Sequence, residues 1–208
     1  MTNILVLNSS ILGGGSASKV VVEDAVLRLV DANPGATVVH RDLGAAPVPH
    51  LTIGNVAGIK GIPTTESELT ARALSDELIA ELRAADTIVI GAPMYNFSIP
   101  TGLRSWFDYV LRAGETFSYS EAGPQGLLSG KRVIVIESRG GLYSEGPAKA
   151  LDFQEPYLRQ LLGFMGLTDV VFIHAEKLGF GPEAREAALA GAKAKFAAVV
   201  TPKLAEAA

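Results

Sequence analysis

The chain has 208 residues, 48% of them apolar and 19% charged, and its 18 Lys+Arg against 22 Asp+Glu leave a net charge of −4. That length suits a single domain over 1–208 with a core large enough to stand without staples, and the composition excludes disorder. The mild acidity does not support a nucleic-acid footprint, and the absence of cysteine excludes disulfides, thiolate nucleophiles and Cys-ligated metal.

The start, MTNILVLNSS, lacks the basic and apolar regions of a signal peptide. No run approaches the roughly 18 apolar residues of a membrane span, so we expect a soluble, cytoplasmic protein with no membrane partner. Residues 4–7 read as a first strand, ended by Asn8-Ser9-Ser10. Residues 16–33 read as a helix with Val22, Val26, Leu29 and Val30 on one face, stopped by Pro34-Gly35. Residues 37–39 form a second strand. Residues 44–64 read as an irregular connection, long enough to be functional or part of an interface.

Thr65 and Glu68 have capping-box spacing and open a helix to about residue 85. Residues 87–90 are a third strand of the kind buried on both faces. Residues 91–99 form a loop, and Pro100 can begin a helix to about residue 112. Residues 114–130 form a second excursion. Residues 133–136 are a fourth strand, followed by a loop over 138–146. Asp152 and Glu155 can cap a helix carrying Leu158, Leu161, Leu162 and Met165. Residues 170–173 are a fifth strand, and residues 182–204 a last, solvated amphipathic helix. Five short strands alternating with helices predict an α/β fold, a doubly wound five-stranded parallel sheet in three α/β/α layers.

In such sheets ligands bind beyond the carboxyl ends of the strands. The loop after the first strand, residues 8–18, gathers hydroxyls and backbone amides at a helix N-terminus, where an anion is favoured. It lacks the Gly-Lys-Ser/Thr ending of a nucleoside-triphosphate loop and the third glycine of a dinucleotide fingerprint. A phosphate is its natural guest; a glycine loop with a serine N-cap is the other reading. The loop after the third strand carries Met94, Tyr95, Asn96 and Phe97, suited to a flat heterocycle or simply to loop packing. The loop after the fourth carries Ser138, Arg139, Gly140 and Gly141, where Gly-Gly permits close backbone approach or marks a tight turn. Arg139 meets negative charge or is solvated. Together the three loops suit a mononucleotide with a planar head, best a flavin mononucleotide in a flavodoxin-like sheet.

These segments resemble the FMN-dependent NADH-azoreductases, also called NADH:quinone reductases. The matching stretches are residues 5–10 with Ser16-Ala17-Ser18, Ala92-Pro93-Met94-Tyr95-Asn96-Phe97 and Ser138-Arg139-Gly140-Gly141, then ALSDELIAEL, RAGETF and GFMGLTD at residues 73–82, 112–117 and 163–169. The resemblance implies a flavodoxin-like homodimer with FMN in each subunit and the active site at the subunit interface. It implies that Ser10, Ser16, Ala17 and Ser18 hold the phosphate. Met94, Tyr95, Asn96 and Phe97, with Ser138, Arg139, Gly140 and Gly141, would hold the ring system. NADH would be the donor, and quinones or azo compounds the acceptors, in ping-pong order. No side chain stands out as a catalyst, and His40, His50 and His174 lack metal-ligand spacing, so no metal is expected. A non-enzymatic flavin electron carrier is the rival reading, and −4 is weak charge for docking redox partners.

Overall fold

The computed structural model describes residues 2–204, with side chains to residue 200; the remainder of the expected 1–208 domain lies outside the described residues. The elements are β1 (Asn3–Asn8), α1 (Ala17–Ala32), β2 (Thr37–Asp42), α2 (Val56–Lys60), α3 (Glu66–Ala84), β3 (Thr87–Pro93), α4 (Thr101–Val110), β4 (Phe117–Ser120), β5 (Gly123–Gly126), β6 (Arg132–Ser138), α5 (Glu155–Phe164), β7 (Asp169–Ala175) and α6 (Pro182–Leu204). Five strands pair in parallel in the order β2-β1-β3-β6-β7, the flavodoxin-like order with its switch point between β1 and β3.

Alternation along the strands feeds two cores. Leu5 and Leu7 of β1, Ile88 and Ile90 of β3, and Val133 and Val135 of β6 pack beneath α3, α4 and α5. Their neighbours Ile4, Val6, Val89, Ile134 and Ile136 pack under α1 and α6 with Val21, Val22 and Phe196. A two-residue side-chain period with both faces covered explains why the central strands read as unbroken apolar runs. α3 opens with the expected capping box: Thr65 accepts from the Glu68 amide and Glu68 accepts from the Thr65 amide.

Two segments differ from expectation. The 44–64 connection contains α2, whose Gly58 lies so close to α3 that a Cβ there would sit 2.3 Å from Glu68 O. The 114–130 excursion folds as the antiparallel hairpin β4–β5, with Phe117 opposite Gly126. Gly126 packs on the end of α5, and its Cβ would fall 2.1 Å from Gly166 N. These are close-approach glycines, which composition alone presents as loop glycines. β3 and β6 also run past their apolar stretches, to Pro93 and Ser138. The sheet therefore carries the first residues of the candidate loops as ordered strand.

Candidate functional site

Because β1, β3 and β6 are adjacent, their carboxyl-end loops lie side by side. Ser16 is the N-cap of α1: its Oγ accepts from the Lys19 amide at 3.1 Å and meets Ser18 Oγ at 3.1 Å. The first-turn amides of a helix have no intrahelical partner, so those of Ala17 and Ser18 lie where an anion would take them. Arg185 reaches over from α6 and donates to Gly15 O at 3.2 Å, placing a cation beside this turn that the reading of the last helix missed.

The second loop is tied to the first. Tyr95 Oη lies 3.4 Å from Ser10 Oγ and accepts from the Ile11 amide at 3.3 Å. Tyr95 and Ser98 exchange backbone hydrogen bonds of 3.0 and 3.1 Å around Asn96 and Phe97, which stand at φ 49° and 71°. That is the type I′ pattern, in which Asn is at home and Phe is strained. The strain costs about 1–3 kcal/mol and holds the half-exposed Phe97 ring at the loop tip. Replacing Phe97→Gly should stabilise the ligand-free protein by about 1 kcal/mol in thermal unfolding. It should also weaken binding of any planar ligand there. Loss of stability instead would place the ring's value in packing.

The third loop joins both. Met94 N donates to Ser138 O at 2.8 Å, and the Phe97 and Tyr143 rings meet edge to face at 6.2 Å. Of the residues the sequence singled out, Ser10, Ser16, Ala17, Ser18, Met94, Tyr95, Asn96, Phe97, Ser138, Gly140 and Gly141 lie along this edge. Arg139 stands apart. Its side chain is fully buried, and its backbone N–H and C=O are taken by Ala175 and Leu178. The guanidinium meets Glu137 Oε2 at 2.6 Å, Asp152 Oδ2 at 3.0 Å, Glu176 Oε1 at 3.2 Å and Gln154 Oε1 at 3.1 Å. It faces carboxylates inside the molecule and belongs to the support of the loop, not to its lining.

This buried charge cluster was not visible in the sequence. Glu176 also accepts from the Tyr143 and Ser144 amides at 2.8 and 2.9 Å, so it caps the third loop. Burial opposes its ionisation, but the bonds from Ser144, Tyr143 and Arg139 prevail and hold its carboxyl below the usual range. Glu137 goes the other way: burial raises its pKa against the pull of His174 and Arg139, and its Oε1 has no donor among the described residues. His174 Nε2 lies 3.1 Å from Glu137 and 2.9 Å from Glu155. The bond to Glu137 raises its pKa, with burial opposing. Glu137, Glu155 and His174 bring donor atoms within 4.8 Å of one another, the spacing of a metal site. Arg139, 2.6 Å from Glu137, sets a fixed positive charge beside this group.

A raised folded-state pKa means stability that is complete below the unfolded value, about 6.5 for histidine, and is lost as pH rises through the folded value. Stability should therefore fall from about pH 6.5 upward. His174→Gln should flatten that slope in urea melts taken from pH 6 to pH 9. An unchanged slope would show that His174 is neutral in the folded protein.

A cavity of about 690 Å³ opens beside Ser9, Gly44, Tyr95 and Asn96, the size of an ordinary small-molecule site. The cavity lies between the first two loops and the 43–50 segment, while the α1 turn and the glycine loop stand outside its lining. The sheet order and the three joined strand-end loops are those of a flavodoxin-type protein. The family model described as "Flavodoxin-like fold" matches residues 2–200, and the chain belongs to that family. It is 69% identical over 199 residues to the FMN-dependent NADH:quinone oxidoreductase of Hyphomonas neptunium, covering 96% of each chain. It is 49% identical to the enzyme of the same name from Ralstonia nicotianae, covering 97% of this chain and 99% of that one. Among solved structures it is similar to an azoreductase from Bacillus anthracis, with TM-score 0.87, 31% identity, and coverage of 96% of this chain and 98% of that one. No described helix is long and apolar enough to cross a membrane.

Proposed function

We propose that this chain is an FMN-dependent NADH:quinone oxidoreductase that also reduces aromatic azo bonds. The observation that carries this is the joining of three strand-end loops: Tyr95 bridges to Ser10 and Ile11, and Met94 bridges to Ser138. FMN, when bound, supplies reversible two-electron chemistry. The chain's own groups bind and orient it. Ser10, Ser16, Ser18 and the amide of Ala17 hold the phosphate. Met94–Phe97 provide an apolar and edge surface for the ring, and the backbone of Ser138, Gly140 and Gly141 approaches it closely. The cradle fits: the first-turn amides of α1 are free of helical partners, and Gly140 has no heavy atom within 4 Å of where a Cβ would stand.

Exposed Ile11, Leu12, Phe97 and Phe153 lie along this edge, which suits an acceptor pocket completed by a second copy in a homodimer. NADH is the donor. A cytoplasmic setting accords with the lack of cysteine.

The test is NADH oxidation by purified, FMN-loaded protein with a benzoquinone and with an aromatic azo dye. Parallel double-reciprocal lines are expected. FMN retained without NADH turnover would favour the electron carrier. A preparation that takes up no FMN would end the reading.

A further inference from the structure

The sheet spaces the second and third loops only as far as Pro93, which pairs opposite Ser138. Beyond it, direct ties among the described residues are Met94 N to Ser138 O and the edge contact of Phe97 with Tyr143. The segment just before α5 adds a further tie between the two loops. Gln154 is fully buried. Its Nε2 donates to Ala92 O at 2.9 Å, and its Oε1 accepts from Arg139 Nε at 3.1 Å. One amide thus joins the root of the second loop to the root of the third. Its neighbours repeat the link: Phe153 N donates to Phe97 O at 3.1 Å, and Asp152 accepts from Arg139. Asp152 Oδ1 in turn accepts from the amides of Gln154 and Glu155 at 2.9 and 3.1 Å, fixing the segment at the head of α5.

We propose that Gln154 is a positioning residue for the cofactor site, setting the spacing of the 92–97 and 139–143 loops through its paired bonds to Ala92 and Arg139. The proposal rests on the flavin reading of those loops. An amide suits this task because it donates on one side and accepts on the other while carrying no charge. Glutamate would keep the acceptor toward Arg139 and lose the donor toward Ala92 O. Methionine would lose both and keep much of the volume.

Three readouts separate positioning from simple stability. They are the dissociation constant of FMN from flavin fluorescence, the visible circular dichroism of bound flavin at saturation, and the rise in melting temperature of apoprotein on adding inorganic phosphate. The last probes the α1 turn alone. Gln154→Met should raise the FMN dissociation constant about tenfold, the loss one buried hydrogen bond commands, and change the flavin dichroism. The phosphate effect should stay at its parental size. Gln154→Glu should show the same changes in smaller degree, and it carries the test alone if Gln154→Met does not fold. Ser75→Ala is the control for lost stability: it removes a buried hydroxyl that donates to Tyr109 O at 2.7 Å, far from the loops. It should leave FMN affinity and dichroism unchanged. The proposal is overturned if the Gln154 variants keep parental affinity and dichroism, or if phosphate binding falls in step with flavin binding. If the parent itself takes up no FMN, the functional reading fails first and the bridge falls with it.

Discussion

Replacing Arg139→Met should lower stability by about 3–5 kcal/mol at pH 7, because it takes the guanidinium from three carboxylates, Glu137 fully buried among them. For a chain of this length that is about 6–20 °C in melting temperature. The side chain lies where four protein oxygens converge, and Glu137, its nearest partner at 2.6 Å, is as fully buried as the arginine itself. Methionine fills the space without the charge. The penalty should shrink in acid. Glu137 already holds its proton more tightly than an ordinary glutamate, and Arg139 is one of the groups drawing that pKa down. Without the guanidinium the pKa rises further, and protonation then removes the buried charge. Melts at pH 5 and pH 7 should therefore show the variant closer to the parent at pH 5. The double variant Glu137→Gln with Arg139→Met should recover part of the loss at pH 7, since it removes the most deeply buried carboxylate while Asp152 and Glu176 still lose their partner. A single variant within about 1 kcal/mol of the parent would mean that His174 alone balances Glu137.

The same cluster shows where sequence reasoning stops. The five strands were legible because a parallel sheet covered on both faces writes itself as short apolar runs, and the helices because their periods and caps are local. The strand ends were not. Glu137 follows a run of apolar residues and reads as the place where β6 should stop, yet the strand continues through it to Ser138. A charge at that position signals a buried counter-charge. The partners, Arg139, Asp152, His174 and Glu176, come from β6, β7 and the loops around them, and no spacing rule joins them. The three candidate loops were legible in residue type, since hydroxyls, aromatics and glycines collected at strand ends. What Gln154 and Glu176 do was illegible, because each acts through contacts with segments far away in the chain. The hairpin over 117–126 was hidden for a related reason: its apolar content is small, and a glycine packed on α5 looks like one in a free loop.

Glycines also separate what the sequence suggests from what the structure requires at the turn proposed to hold phosphate. The triple glycine 13–15 draws the eye, yet Gly14 has an ordinary backbone conformation and no heavy atom within 4 Å of a built Cβ. Gly44, in the connection after β2, attracts no notice. A Cβ there would lie 2.0 Å from Ser10 O and 2.8 Å from Ser10 C. The turn at Gly44 is pinned, since its amide and that of Ala45 both donate to Asp42 Oδ1 at 3.1 Å and Leu43 N donates to Asn8 O at 2.7 Å. Ser10 must therefore move if Gly44 becomes alanine. Overpacking of this kind costs about 1–3 kcal/mol, which in cofactor affinity is a loss of about 5- to 150-fold. Gly44→Ala should show that loss in fluorescence titration of the apoprotein with FMN. The second and third loops, joined to the Ser10 turn among the described residues through Tyr95, should keep the dichroism of whatever flavin does bind. Gly14→Ala, the more conspicuous site, should bind FMN as the parent does. The reverse ranking would mean that the turn's freedom matters more than its position, and that Ser10 does not hold the phosphate.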